Sequence, residues 1–175
     1  KETTGSDQSQ LEMCKAIHLP LSDYAVLKSL CESEGIGFMS TPFDLVSIDL
    51  LAELGQDWMK VPSGEITNLP YLRKIAAAGI PVILSTGMST IDEIVDAVEI
   101  LTGQSKKYPT ESKLTKEDII LLHCNTEYPT PFCDVNLSAM EDIRRATGLR
   151  VGYSDHTVGI EVPIAAVALG ASVIE

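Results

Sequence analysis

The residues best suited to chemistry in this sequence lie directly after short apolar segments. Lys60 follows Trp58 and Met59, at a position inside the predicted fold, where an ammonium group is costly unless an anion accompanies it. Hydroxyl side chains follow this and the other apolar segments: Thr41, Ser63, Ser85, Thr86 and Ser154. A lysine among hydroxyl donors and glycine-containing turns is typical of a phosphate or carboxylate pocket. The alternative is that Lys60 extends to the rim and pairs with Glu65.

Four further residues are candidates for a functional role, and each of them could instead have a purely structural role. Glu65 suits a general acid or base, or an acceptor for substrate hydroxyls, and equally a helix-start acid. His156, in the sequence Ser-Asp-His, suits a metal ligand or base as well as a structural histidine. His123 ends an apolar segment, which favours a core histidine with its hydrogen bonds satisfied. Tyr128 precedes Pro129 in a stiff loop, where its ring either covers a substrate or packs within the loop.

The elements that position these residues are short strands alternating with helices. The pattern predicts six strands, at residues 37–40, 58–61, 81–84, 119–123, 150–153 and 173–174. Strands that are apolar on both faces indicate a parallel sheet covered by helices. Because polar groups follow five consecutive strands, and ligands bind at the carboxyl ends of such strands, the pattern favours a (β/α)₈ barrel over an open sheet. Neither GxGxxG nor GxxxxGK[ST] is present, so the usual nucleotide phosphate loops are lacking.

Two helix starts are predicted from their capping residues. Ser22 is the expected N-cap of a helix that ends near Gly35. Ser89, followed by Asp92 and Glu93, resembles a capping box at the start of another helix.

Composition restricts the class of protein further. The 175 residues, 45% of them hydrophobic, are enough for one domain with a real core. A formal net charge of −12 opposes binding to nucleic acid or to an anionic membrane. No apolar segment is long enough to span a membrane. The four cysteines form no CxxC pair, which is typical of reduced thiols, so a cytoplasmic location is expected.

Five segments together resemble the sialic acid synthase family: FMSTPFD, MKVPSGEITNLPYL, VILSTGMST, LLHCNTEYPTPFCDVNL and VGYSDHTVGI. The likeness extends from about residue 10 to residue 175 and is closest to the N-acetylneuraminate and legionaminic acid synthases. These enzymes condense phosphoenolpyruvate with an N-acetylated hexose. The pseudaminic acid branch ranks lower, because its block after the fourth barrel strand differs from SGEITNLP.

The resemblance implies a role for each candidate residue. Lys60 matches a phosphoenolpyruvate ligand, and the hydroxyls of Thr41, Ser63, Ser85 and Ser154 match its partners for phosphate and carboxylate. Glu65 and Tyr128 match positions facing the sugar. Thr126, also matched to a substrate contact, stands where the family often has asparagine, and the neighbouring asparagine of this chain is Asn125. His156 matches one of two histidines that hold Mn²⁺ or Mg²⁺.

The resemblance also implies a reaction, with Lys60 and Glu65 as the catalytic residues. The metal polarises the aldehyde of the open-chain sugar, and C3 of phosphoenolpyruvate attacks its carbon. Water then adds at C2, and the intermediate loses phosphate by C–O cleavage to leave a nonulosonic acid. Lys60 and the hydroxyls hold the anionic groups, while Glu65 handles a proton or stabilises developing charge.

The resemblance further implies that residues 1–175 are one partial barrel domain, carrying strands three to eight of the (β/α)₈ fold. The first two strands, the second metal histidine and a small C-terminal domain are expected outside this chain. The chain by itself is then expected to be inactive, and the parent protein a homodimer.

Two other functions remain open on the sequence. Lys60 could serve a class I aldolase as a Schiff-base nucleophile. A barrel that binds a sugar phosphate without turnover is the non-catalytic alternative, although it would not need Lys60, Glu65 and His156 together.

Overall fold

The structure is a computed structural model that describes residues 9–175, and it contains two compact units, Lys1–Phe38 and Met39–Glu175. The described part of the first unit holds α1 (Gln10–Ile17) and α2 (Leu21–Ser33). The prediction of Ser22 as the N-cap of α2 is wrong. The extended backbone of Pro20 precedes the helix, so Ser22 lies inside the first turn, where its hydroxyl bonds to Asp23.

The second unit is a parallel sheet with strand order β1-β2-β3-β4, in which a helix follows each strand. Helix α3 (Leu45–Leu54) precedes the sheet. The strands are β1 (Met59–Val61), β2 (Val82–Ser85), β3 (Ile119–Cys124) and β4 (Arg150–Ser154). The helices that follow them are α4 (Leu69–Ala78), α5 (Ile91–Leu101), α6 (Ala139–Thr147) and α7 (Glu161–Ala168).

Four of the six predicted strands are confirmed, and the first and last are not strands of this sheet. Near the first, the backbone N–H of Ser40 donates to Oε1 of Gln56 at 3.0 Å, and Nε2 of Gln56 donates to the Ser40 carbonyl at 3.4 Å. The Gln56 side chain therefore bonds to the backbone N–H and carbonyl of Ser40, which in a sheet would bond to a neighbouring strand. The last segment makes one bridge, between Ile174 and Tyr153, which is too few pairs for a strand.

The two faces of the sheet have different partners, because side chains alternate along a strand. One face packs under the helices through residues with no measurable exposure, including Met59, Val61, Leu84 and Leu121. The opposite face carries an apolar cluster of Ile83, Ile120 and Leu122 against Trp58 and Val173. Gly152 lies on this face, where a Cβ would stand 2.4 Å from the Val173 carbonyl oxygen. Glycine therefore permits the last segment to approach β4.

Three helices of the second unit, α3, α4 and α5, begin at capping side chains. Asp44 accepts from the backbone N–H groups of Val46 and Ser47 at the start of α3. The capping box of α5 is formed by Thr90 and Glu93, so the prediction of Ser89 as its N-cap is wrong by one residue. A capping box uses Glu or Gln three residues after the cap, where Thr90 has Glu93 and Ser89 has only the shorter Asp92.

Among the helices within residues 9–175, none has the length and apolar character required to cross a membrane.

Candidate active site

A pocket of about 290 Å³ lies at the carboxyl ends of the strands. The last residues of β2, β3 and β4, which are Ser85, Cys124 and Ser154, line it together with Lys60 of β1. The other lining residues come from the adjacent segments: Phe43, Pro62, Ser63, Gly64, Asn125, Thr126, Tyr128, His156 and Glu175. The parallel register brings these strand ends to one edge, as the spacing of polar residues in the sequence predicts.

Lys60 is the buried cation of this pocket, with 6% of its surface exposed. Its Nζ donates to Oγ of Ser85 at 2.8 Å and lies 3.4 Å from Oε1 of Glu175. The buried ammonium group of Lys60 therefore has a hydroxyl and a carboxylate as neighbours, and the carboxylate belongs to Glu175. The alternative of an ion pair with Glu65 is wrong.

Glu65 and Thr41 lie outside the set of residues that lines the pocket. Glu65 is half-buried in a 3₁₀ turn, where its carboxylate accepts from Nδ2 of Asn68 at 2.6 Å. Asn68 in turn caps α4 by accepting from the backbone N–H of Tyr71. Glu65 thus braces a helix start in this structure, and Thr41 is half-buried on the segment before α3. Their roles toward a substrate remain predictions.

Three loops meet at Ser63, on the wall of the pocket. The backbone N–H of Gly87 donates to Oγ of Ser63 at 2.9 Å, and Sγ of Cys124 lies 3.3 Å from the same oxygen. Any Cβ at position 87 would stand 2.9 Å from Cγ2 of Thr126 and 3.0 Å from Oγ of Ser63. The absence of a side chain at Gly87 therefore allows this approach of the loops.

His156 is held by polar groups on both ring nitrogens. Nδ1 lies 2.6 Å from the carbonyl oxygen of Asn125, and Nε2 lies 3.3 Å from Oγ of Ser154. Because a carbonyl oxygen only accepts, Nδ1 carries a proton. The ring of Tyr128 stacks on the imidazole, with centroids 3.9 Å apart and planes inclined by 29°.

The donor set for a divalent metal is incomplete within residues 9–175. No group of three or more His, Cys, Asp or Glu side chains gathers there. His156 does supply one suitable donor, since an imidazole that donates from Nδ1 to a backbone carbonyl presents Nε2 as a ligand.

The loop after β3 places Thr126 and Tyr128 at the pocket entrance. Thr126 is exposed, and its backbone N–H donates to Oδ1 of Asn125 at 2.7 Å. Tyr128 is 66% exposed, and partial desolvation, together with the nearby Cys124 and Glu175, raises the pKa of its phenol. Tyr128 is thus neutral and able to donate a hydrogen bond at physiological pH.

The two remaining sequence candidates serve the scaffold. Nε2 of His123 lies 2.8 Å from the carbonyl oxygen of Val135, which confirms the prediction of a core histidine with a satisfied hydrogen bond. The hydroxyl of Thr86, which is 5% exposed, donates to the carbonyl of Leu122 at 3.0 Å.

Sequence reasoning missed Glu175 and Cys124 as lining residues, and it named Asn125 only as the neighbour of Thr126. Glu175 carried a usable signal, because it directly follows the apolar segment 171–174, as the other pocket residues follow their strands. Cys124 lies at the end of β3, the position equivalent to Ser154. Because cysteine is counted as apolar, the pattern of polar residues after the strands did not indicate Cys124.

The fold and pocket define a parallel βα protein with a buried lysine and several hydroxyl groups in a pocket at its strand ends. The chain belongs to the NeuB family, whose model matches residues 1–175. Its sheet and helices form part of a (β/α)₈-barrel domain, which confirms the predicted fold class.

Curated relatives include synthases of several nonulosonic acids. The chain is 51% identical over 174 residues to an N,N'-diacetyllegionaminic acid synthase of Campylobacter jejuni, covering 99% of this chain and 50% of that protein. A pseudaminic acid synthase of Helicobacter pylori is 33% identical over 173 residues, with coverage of 99% and 48%. The chain thus spans about half the length of these relatives. The order of identity agrees with the predicted ranking of the legionaminic acid synthases above the pseudaminic acid branch.

Solved structures extend the comparison to the fold. A sialic acid synthetase of Leptospira borgpetersenii, crystallised with citrate, superposes with a TM-score of 0.86 at 34% identity, over 99% of this chain and 57% of that one. A truncated 3-deoxy-D-arabino-heptulosonate 7-phosphate synthase of Thermotoga maritima has a TM-score of 0.72 at 22% identity, covering 90% and 59%. At that identity the likeness concerns the fold alone.

Proposed function

We propose that the protein condenses phosphoenolpyruvate with an N-acetylated hexose and water, giving a nonulosonic acid and phosphate. The observation that carries the proposal is the buried Lys60, bonded to Ser85 in a strand-end pocket of a NeuB-family chain. Membership of a family whose curated relatives are named as synthases supports the reaction class.

The charge of the pocket supports an anionic substrate. The formal net charge of the chain is −12, yet a buried cation, Lys60, lines this pocket. The hydroxyl groups of Ser63, Ser85 and Ser154 line the same pocket and can donate to phosphate or carboxylate oxygens. Because the pocket is partly desolvated, such bonds are stronger than they would be in water.

In the proposed reaction, Lys60 and the serine hydroxyls orient phosphoenolpyruvate with C3 toward the sugar aldehyde. The same groups stabilise the phosphate as its C–O bond breaks. Tyr128 and Thr126 contact the sugar at the pocket entrance, while Glu65 is proposed to move a proton after its loop shifts from Asn68. Glu175 is the anion that balances Lys60 before substrate binds.

A divalent metal, Mn²⁺ or Mg²⁺, is also proposed, with His156 among its ligands. When bound, such a metal would polarise a carbonyl group. Within residues 9–175 no cluster of three His, Cys, Asp or Glu side chains accompanies His156. A homodimeric parent protein and a cytoplasmic location likewise stay predictions.

We propose that the sugar is the 2,4-diacetamido analogue of N-acetylmannosamine. N-acetylmannosamine itself is the second choice. Identities of 51% and 44% to two legionaminic acid synthases support this order. The N-acetylneuraminate-9-phosphate synthases of Drosophila melanogaster, Homo sapiens and Mus musculus reach 31%, 34% and 33%.

The test measures phosphate release from phosphoenolpyruvate by the protein expressed from its complete reading frame, with Mn²⁺ and each sugar in turn. We expect release that requires one sugar, stops with EDTA and falls at least about 100-fold in Lys60→Ala, the loss typical of a removed electrostatic contact. Lys107→Ala is the matched control, because Lys107 is an exposed cation that pairs with Asp96 at 3.0 Å. A folded protein that releases no phosphate with either sugar would overturn the proposal.

Borohydride separates the Schiff-base alternative from this reaction. A Schiff-base lysine reacts as a free amine, whereas Lys60 has a hydroxyl and a carboxylate oxygen as neighbours, which suit an ammonium donor. We expect no trapped adduct of pyruvate or sugar on Lys60. A covalent adduct found there by peptide mass spectrometry would favour the aldolase.

A further inference from the structure

The loop after β3 contacts His156 at three points. The carbonyl of Asn125 accepts from Nδ1 at 2.6 Å, and the ring of Tyr128 stacks on the imidazole at 3.9 Å between centroids. The backbone N–H of Thr130 donates to the backbone carbonyl of His156 at 2.7 Å. Both the ring and the main chain of His156 are thus fixed by a neighbouring loop.

Two of these three contacts act on the ring: the hydrogen bond to the Asn125 carbonyl selects the nitrogen that carries the proton, and the Tyr128 ring fixes the imidazole plane. A carbonyl oxygen can hold only the Nδ1–H form, but a single hydrogen bond leaves the ring free to rotate about it. Stacking with a tilt of 29° removes that freedom, since an aromatic face restrains the imidazole plane. The two contacts therefore act together on the direction of Nε2.

We propose that Tyr128 is a positioning residue, whose ring and the Asn125 carbonyl hold His156 as the Nδ1–H tautomer with Nε2 presented to the pocket. Nε2 then has Ser154 as its neighbour at 3.3 Å, on the wall that also carries Lys60. The consequence for catalysis rests on the proposed function, while the orientation itself does not. In this assignment the ring of Tyr128 matters for His156, independently of any contact that its hydroxyl makes with a substrate.

The first test is the long-range ¹H–¹⁵N spectrum of the protein with its imidazole rings neutral. The chain has three histidines, and His156→Gln assigns the signals of this one. We expect a pyrrole-like Nδ1 and a pyridine-like Nε2, and we expect the carbon-bound ring protons to be displaced upfield by the Tyr128 ring current. A dominant Nε2–H tautomer in the unmodified protein would overturn the proposal without any variant.

The second test compares Tyr128→Phe with Tyr128→Leu. Phenylalanine keeps the stacked ring and removes only the hydroxyl, so the tautomer and the upfield displacement should both be retained. Leucine removes the aromatic face, and the ratio of Nδ1–H to Nε2–H should fall by roughly two- to tenfold, the range equivalent to one aromatic pair. An unchanged ratio and unchanged ring-proton shifts in a folded Leu variant would show that the carbonyl alone fixes the ring.

A kinetic comparison connects the positioning role to the proposed reaction. With phosphate release as the readout, kcat should follow the aromatic ring, falling more in Tyr128→Leu than in Tyr128→Phe, while the KM for phosphoenolpyruvate changes little in either. Equal kcat losses in the two variants would assign the effect to the hydroxyl and overturn the catalytic consequence. If no phosphate is released by the unmodified protein, the proposed function fails, whereas the spectra still decide the orientation of His156.

Discussion

Replacing Gly87 with alanine tests how tightly the loops around Ser63 are packed. The new methyl group would stand 2.9 Å from Cγ2 of Thr126, 3.0 Å from Oγ of Ser63 and 3.1 Å from Sγ of Cys124. Ordinary van der Waals contacts between such atoms lie at 3.5–4.0 Å. Thr126 is exposed and can move, but Cys124 is 7% exposed and is fixed at the end of β3.

The cost of this overpacking follows from the atoms that must move. Added methyl groups in packed sites destabilise proteins by about 1–3 kcal/mol. The shift would also lengthen the hydrogen bond from the Gly87 backbone N–H to Ser63, now 2.9 Å. We therefore expect the upper part of that range, which corresponds to a fall in Tm of about 2–4 °C for each kcal/mol at this chain length.

Urea unfolding of Gly87→Ala beside Gly64→Ala measures the effect. Gly64 is a matched control, because no atom lies within 4 Å of the Cβ that alanine would add there. Alanine at such a site restricts the unfolded chain, so Gly64→Ala should be neutral or stabilising by up to about 1 kcal/mol. Equal free energies of unfolding for the two variants would refute the packing argument.

Three other predictions concern single side chains. Ser85→Ala removes the hydroxyl that accepts from Lys60, and should lower the free energy of unfolding by about 1–3 kcal/mol in urea titrations. The backbone N–H and hydroxyl of Ser47 lower the pKa of Asp44 from 3.8, so this carboxylate stabilises the fold above that pH and loses its effect as pH falls through the lower folded value. The advantage of the protein over Asp44→Asn should therefore shrink in acid, as measured by unfolding at stepped pH. Burial raises the pKa of the Tyr153 phenol to about 12, so ultraviolet titration should show a late phenolate that is missing in Tyr153→Phe, and stability should fall as pH rises above 10.

Each of these predictions has a contradicting result. A Ser85→Ala variant as stable as the parent would mean that water or another group satisfies Lys60. A difference between the parent and Asp44→Asn that stays constant from neutral pH to about pH 3 would place the titrating group elsewhere. Ionisation of every tyrosine near pH 10 would contradict the burial of Tyr153, which is 1% exposed.

Local chemistry in the sequence determined the strands and the polar residues at their ends. Apolar runs such as 119–123 select extended, doubly buried strands, and the residues that follow them must reach the carboxyl edge of a parallel sheet. Lys60, Ser85 and Ser154 were found in this way. Helix starts were located to within a residue or two, since Ser89 and Thr90 are both good caps and the spacing to Glu93 decides between them.

The tertiary structure decided which groups meet across the sheet. The partner of Lys60 is Glu175 and not the nearby Glu65, because the pairing of the last segment with β4 carries Glu175 to the pocket while Asn68 holds Glu65. The segment at 37–40 has the sequence of a strand, yet the backbone N–H of Ser40 donates to the side chain of Gln56 instead of to another strand. Periodicity encodes which face a residue occupies, whereas partners distant in sequence depend on strand register and loop packing, which no local pattern contains.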